Sequence, residues 1–107
     1  MSLIQCLWRV SRPSEENIGY DEYDSFVCVA ATASVARRLH PRGEEMMAWV
    51  ETDSSWHPVL SGTVDEEAWE YHGWTTDIDS LEVVWLGQAG DGALRIGGVI
   101  LASFNAG

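Results

Sequence analysis

Lysine is absent from this 107-residue sequence; its six cationic residues are all arginines, set against seventeen aspartates and glutamates. A surface that grips nucleic acid must neutralise phosphates, so a net charge of −11 argues against direct nucleic-acid binding. The same balance argues against docking on an anionic membrane. Cysteine is scarce as well. Cys6 and Cys28 both fall in apolar, strand-like runs and read most simply as buried free thiols in a reducing compartment, a disulfide between neighbouring strands being the other reading. The opening MSLIQCLWRV lacks the cationic stretch of a secretory signal, and no apolar window approaches the length of a membrane span. The expectation is a soluble, intracellular protein.

Motifs that carry chemistry are missing too. His40, His57 and His72 stand in no C-x-x-C, H-x-x-x-H or H-E-x-x-H spacing with one another or with the cysteines. His40, before Pro41, reads as a helix-end residue offsetting the dipole, and His72 as a turn residue beside Gly73. The acids at Asp77 and Asp79, and at Asp21, Glu22 and Asp24, lack the loop and terminal glutamate of a calcium site and read as solvated. There is no G-x-S-x-G elbow, GQAGDG does not make G-x-G-x-x-G, and no lysine exists to complete a P-loop. A converging carboxylate pair of the glycosidase kind stays open, because any two acids can meet in a fold. A chain this short leaves little room for a deep cleft. The prediction is therefore a non-enzyme with no cofactor and no bound metal, a small enzyme or metal protein being the last alternative.

What is present describes a folded domain. Hydrophobic residues make up 46% and charged residues 21%, with six tryptophans, so residues 1–107 read as a single domain. Leu3 to Val10 reads as a strand, followed by a polar loop broken at Pro13 and Gly19. The unbroken apolar run from Phe26 to Ala31 fits a central strand covered on both faces. A helix follows over Ala33–His40, capped by Thr32 or Ser34, with Arg37 and Arg38 near its end. In the middle, EEMMAWVE suits a helix or a strand, SSWHPVLSG reads as extended chain and turn, and DEEAWEYHGW as one or two helical turns capped by Asp65. SLEVVWLGQA and VILASFN read as strands joined through GDGALRIGG in an antiparallel hairpin. Both faces of VILASFN are apolar, which predicts an inner or helix-covered strand. The expected fold is α+β: a small, mostly antiparallel sheet of about four strands with one main helix packed on one face.

Two stretches carry a resemblance. YDEYDSFVCVAATASVARRLHP, and VVWLGQA followed by GGVILASFNAG, are similar to small uncharacterised proteins of tailed bacteriophages and prophages. Those proteins pair a Y-D-x-x-x-x-F-V-V-x-A strand and an A-R-x-x-H-P helix with a closing G-V-I-L-A-S-F-N-A-G. The likeness spans less than half of the chain, leaves residues 44–82 unmatched, and departs at Ser34 to Ala36, where an acid is commoner before the arginine. It implies a phage setting in the host cytoplasm, and no activity.

Charge then carries the functional expectation. The acids cluster at Glu15 to Asp24, Glu44 to Asp53, Asp65 to Glu70 and Asp77 to Glu82. Gathered on one face, they would imitate the charge density of duplex DNA, about one charge per 1.7 Å of axis. The leading expectation is an inhibitor of a host nucleic-acid-handling complex, anti-CRISPR-like or DNA-mimicking, that binds the complex's basic surface. Asp21, Glu22, Asp24, Asp65, Glu66, Glu67 and Glu70 would make the contact, with Trp49 and Trp74 as aromatic anchors. The alternative is a self-associating structural module, a homodimer, held by exposed tryptophans.

Overall fold

The computed structural model describes residues 5–13, 22–68, 70–89 and 99–105, residues 101–105 as backbone. The apolar run does become the central strand. β2 (Glu22–Ala30) pairs antiparallel along one edge with β1 (Cys6–Ser11) and along the other with β7 (Val99–Asn105). The free edge of β1 takes β6 (Glu82–Gln88), which gives a four-stranded sheet in the order β6-β1-β2-β7. Phe26, Cys28 and Ala30 face the core, and Val29, on the opposite face, is buried as well. Burial on both faces is what an apolar run without alternation requires.

A second, three-stranded sheet comes from the middle of the chain: β3 (Met47–Val50), β4 (Ser55–Leu60) and β5 (Thr63–Val64), in the order β3-β4-β5. Its β4–β5 hairpin turns on Ser61 and Gly62, at φ 51° and 80°. Two consecutive positive φ values make the tight turn whose twist matches the flanking strands, and glycine takes the second position without strain. One hydrophobic core joins the two sheets. Val10, Phe26 and Cys28 come from the first, Met47 and Trp56 from the second, and Ala36, Leu39, Trp74, Ile78 and Leu81 from the connections.

Several expectations are corrected. The helix is α1 (Ala33–Arg37), five residues long and not reaching His40. Thr32 caps it as expected, its hydroxyl oxygen accepting the Val35 N–H at 3.2 Å. The Arg38 and Leu39 N–H groups then bond three residues back, which tightens and ends the turn, and Pro41 disfavours helical geometry at His40. The architecture is thus mostly antiparallel sheet with one short helix and a 3-10 turn at Ile78–Ser80, not a sheet carrying one main helix. EEMMAWVE and SSWHPVLSG resolve as strands β3 and β4. DEEAWEYHGW forms no helix among its described residues.

The expected hairpin of the last two strands is also overturned. β6 and β7 lie at opposite ends of the sheet, with β1 and β2 between them. The closing strand is therefore an edge strand, not an inner one; the GDGALRIGG connection lies outside the described residues. Cys6 and Cys28 are free thiols. The register sets Cys6 opposite Ala30 and Cys28 opposite Trp8, so the two are diagonal neighbours at a spacing too wide for a disulfide.

Phe26 is 2% exposed and meets Trp74 edge to face at 5.4 Å. Phe26→Ala should cost about 3–5 kcal/mol, a large share of a typical small domain's stability. Urea denaturation followed by near-UV circular dichroism checks this; a midpoint unchanged from the parent would contradict the packing described.

Candidate functional site

Polar side chains gather where the two sheets meet, and the first of them is buried. His40 is 0% exposed. Its ring lies edge to face with Tyr23 of β2 at 6.2 Å, Trp56 of β4 at 5.0 Å and His72 at 4.9 Å. The Arg42 N–H donates to His40 Nδ1 at 3.0 Å, which places the ring proton on Nε2. Nε2–H then donates to His72 Nδ1 at 3.1 Å, an atom that also accepts the Trp74 N–H at 3.2 Å. Both imidazoles are neutral in this arrangement. Burial, with smaller contributions from His72 and Arg42, pushes the His40 pKa down to about 2. His72 is lowered for the same first reason, burial. His40 is therefore a neutral core residue and cannot offset a helix dipole as a cation.

His57, on β4, is the opposite case. Its Nε2–H donates to Asp53 Oδ2 at 2.7 Å and its Nδ1–H to the Ala68 carbonyl at 3.3 Å. With an acceptor at each nitrogen the ring favours the charged form. Its pKa is raised, first by the Asp53 hydrogen bond, with the Ala68 carbonyl and the charges of Asp53 and Glu66 adding to it. The imidazolium thus clasps the β3–β4 turn to the segment that follows β5.

That clasp defines the acidic surface. Asp65 begins the segment: its N–H donates to the Pro58 carbonyl at 2.9 Å and its Oδ1 accepts the Glu67 N–H at 3.2 Å. This is an Asx turn, the local bond that lets aspartate compete with helix, and it explains why no helix starts there. Glu66 and Glu67 are exposed beside it. The structure thus brings Asp53, Asp65, Glu66 and Glu67 together around His57. Asp53 had no place among the expected contact residues, and the spacing Asp53-x-x-x-His57 across a tight turn was the signal that could have found it.

The remaining expected site residues are placed differently. Glu22 is ion-paired with Arg12 at 3.4 Å, and Glu70 with Arg42 at 3.2 Å. Asp24 is half-buried, and its carboxylate accepts the Ser25 hydroxyl at 3.0 Å. The Tyr23 N–H donates to the Gly73 carbonyl at 2.9 Å, which ties the start of β2 to the segment carrying Glu70. Asp21 lies outside the described residues. Trp49 is half-buried and packs edge to face on Trp56 at 5.0 Å. Trp74, expected as an exposed anchor, is instead a core residue at 5% exposure, with the Arg12 guanidinium 5.4 Å over its ring. Among the described residues the exposed tryptophan is Trp85, at 59%.

Four of the five described arginines are engaged by groups of the protein, and Arg9 is exposed on β1. Arg37 donates to the carbonyls of Ile78 at 3.0 Å and Leu81 at 2.7 Å, Arg38 pairs with Glu51, and Arg12 and Arg42 hold the pairs above. Burial pushes the Cys28 thiol up to about 12, so it is not a nucleophile at neutral pH. Among the described residues no group of three or more metal-ligating side chains gathers, and no helix is long and apolar enough to cross a membrane. No protein-family model, curated protein or solved structure matches the chain.

The histidines set opposite pH limits. His40 and His72 take protons in the unfolded chain below about pH 6.5 but resist them when folded. Their contribution is complete above that pH and is lost as pH falls, by about 1.4 kcal/mol per pH unit per fully titrating group. His57, with a raised folded pKa, contributes fully below about pH 6.5 and loses its contribution as pH rises through that value. Urea midpoints measured across pH should therefore decline on both sides of about 6.5. In His57→Gln the decline between about pH 6.5 and the thiol range near 9.0 should vanish while the acid decline stays.

Proposed function

We propose that this chain is an acidic accessory protein of phage origin that binds and inhibits a host nucleic-acid-handling complex in the host cytoplasm. In this reading it acts by occupying the complex's basic groove in place of nucleic acid. One observation carries it: among the described residues Arg12, Arg37, Arg38 and Arg42 are each engaged by a carboxylate or carbonyl of the protein itself, while Glu44, Glu45, Glu66, Glu67, Asp77, Asp79 and Glu82 are exposed. The chain's net charge is −11, and an outward field of one sign steers a cationic partner and raises its rate of encounter.

Binding suits the site better than catalysis. His40 has both ring nitrogens in hydrogen bonds within the protein, as does His57, and Cys28 is held as a thiol. The contact surface is centred on Asp65, Glu66 and Glu67, held in place by the Asp53–His57 clasp. Glu22 and Glu70, already paired with arginines, add less than their number suggests.

A tagged chain incubated with bacterial lysate should retain a nuclease or another nucleic-acid-binding complex at low salt and release it at high salt. Asp65→Lys, Glu66→Lys and Glu67→Lys together should abolish retention while leaving the melting transition intact. Retention that ignores both salt and charge reversal would refute the acidic-face mechanism.

A further inference from the structure

We infer that β6 is a dimerisation edge: Glu82–Gln88 of one chain pairs antiparallel with the same strand of a second copy, so that the two four-stranded sheets become continuous. β6 ends the strand order, and among the described residues its outer backbone edge has no strand partner. Its side chains are apolar where they meet solvent. Val84, Trp85 and Leu86 are 49%, 59% and 49% exposed. Val84 and Trp85, consecutive and in regular register with Arg9 and Trp8, lie on opposite faces of the sheet, so this is an edge open on both sides and not one outward stripe.

Proteins usually blunt such an edge with lysine, proline or inward charge. β6 has no lysine and no proline, and Glu82, its sole charge, stands at the start of the strand. A Cβ at Gly87 would meet nothing within 4 Å, so the far end of the edge is open too. The irregularity between β1 and β6 falls opposite Leu86 and leaves Glu82 to Trp85 in regular register with Ser11 to Trp8.

Charge selects a second copy as the occupant. Most of this surface would repel another chain of net charge −11, but from Val83 to Gln88 the β6 edge carries no charge of its own. Arg9, exposed on β1, is the cross-strand neighbour of Val84 and balances Glu82. An antiparallel two-fold centred on Trp85 sets Glu82 opposite Gln88 of the partner, Val84 opposite Leu86, and Trp85 opposite itself. Centred on Val84, it sets Glu82 opposite Leu86. In neither register do like charges meet, and in the one centred on Trp85 the exposed apolar side chains cover one another. Cross-strand aromatic and β-branched pairs of this kind are the stabilising unit of a sheet, and an isologous two-fold contact closes at two copies. The assignment is independent of the acidic face, which lies on other elements and depends on salt.

Sedimentation equilibrium of the full chain should give twice the 11.9 kDa monomer mass, unchanged between low and high salt. Val84→Lys, a lysine placed on the edge, should return the mass to that of one chain with an unchanged circular dichroism spectrum. Trp85→Ala should weaken the dimer in the same direction and serves if the lysine variant misfolds. A monomeric parent chain at its highest soluble concentration would overturn the inference, whether the edge is then bare or reserved for a different protein. So would a dimer that survives both substitutions, since it would be built on another surface.

Discussion

A buried imidazole with both nitrogens engaged is the constraint on which the junction of this molecule rests. His40 has no contact with water, so an unmet nitrogen there would cost the full desolvation of a polar group. Meeting both nitrogens requires the backbone at Arg42 on one side and His72 on the other. The two loops that supply those partners are therefore fixed relative to each other. Tyr23 and Trp56, edge on to the same ring, belong to different sheets. A neutral polar group thus locates one sheet against the other, where apolar packing alone would allow sliding.

Much of the first sheet could be read in the sequence because its signals are local. The unbroken run at Phe26 announced a strand covered on both faces, and Thr32 announced the helix start. What stayed hidden was pairing at long range. SLEVVWLGQA and VILASFN are neighbours along the chain, and local reasoning joins neighbours. The sheet instead seats β1 and β2 between them, which no pattern within either strand encodes. The helix was read too long because Arg38, Leu39 and His40 continue its composition, whereas the bonds three residues back and Pro41 end its geometry.

The site was legible in charge and illegible in position. Acidic clusters are plain to see in a sequence without lysine, but whether an acid is already spoken for depends on contacts across the fold. Glu22, Glu51 and Glu70 are partnered by arginines 10 or more positions away. Trp74 looked available because it follows a glycine in a polar stretch, and it is buried because Gly73 accepts a hydrogen bond from β2 and draws the chain inward. Histidine chemistry was the least legible. His40 and His57 are the same residue type with opposite shifts, His40 lowered first by burial and His57 raised first by its hydrogen bond to Asp53.

The strand order has a consequence for how this protein is made. Its central hairpin, β1 with β2, leaves the ribosome first, while the strands that cover its two edges come from the far end of the chain. Until β6 and β7 emerge, that hairpin carries two bare edges of the kind that template aggregation. Pairings so distant in sequence also close slowly. The carboxylates emerging between the two halves then act as a solubilising tether for the unfinished sheet, a service the charge performs before the protein has met any partner.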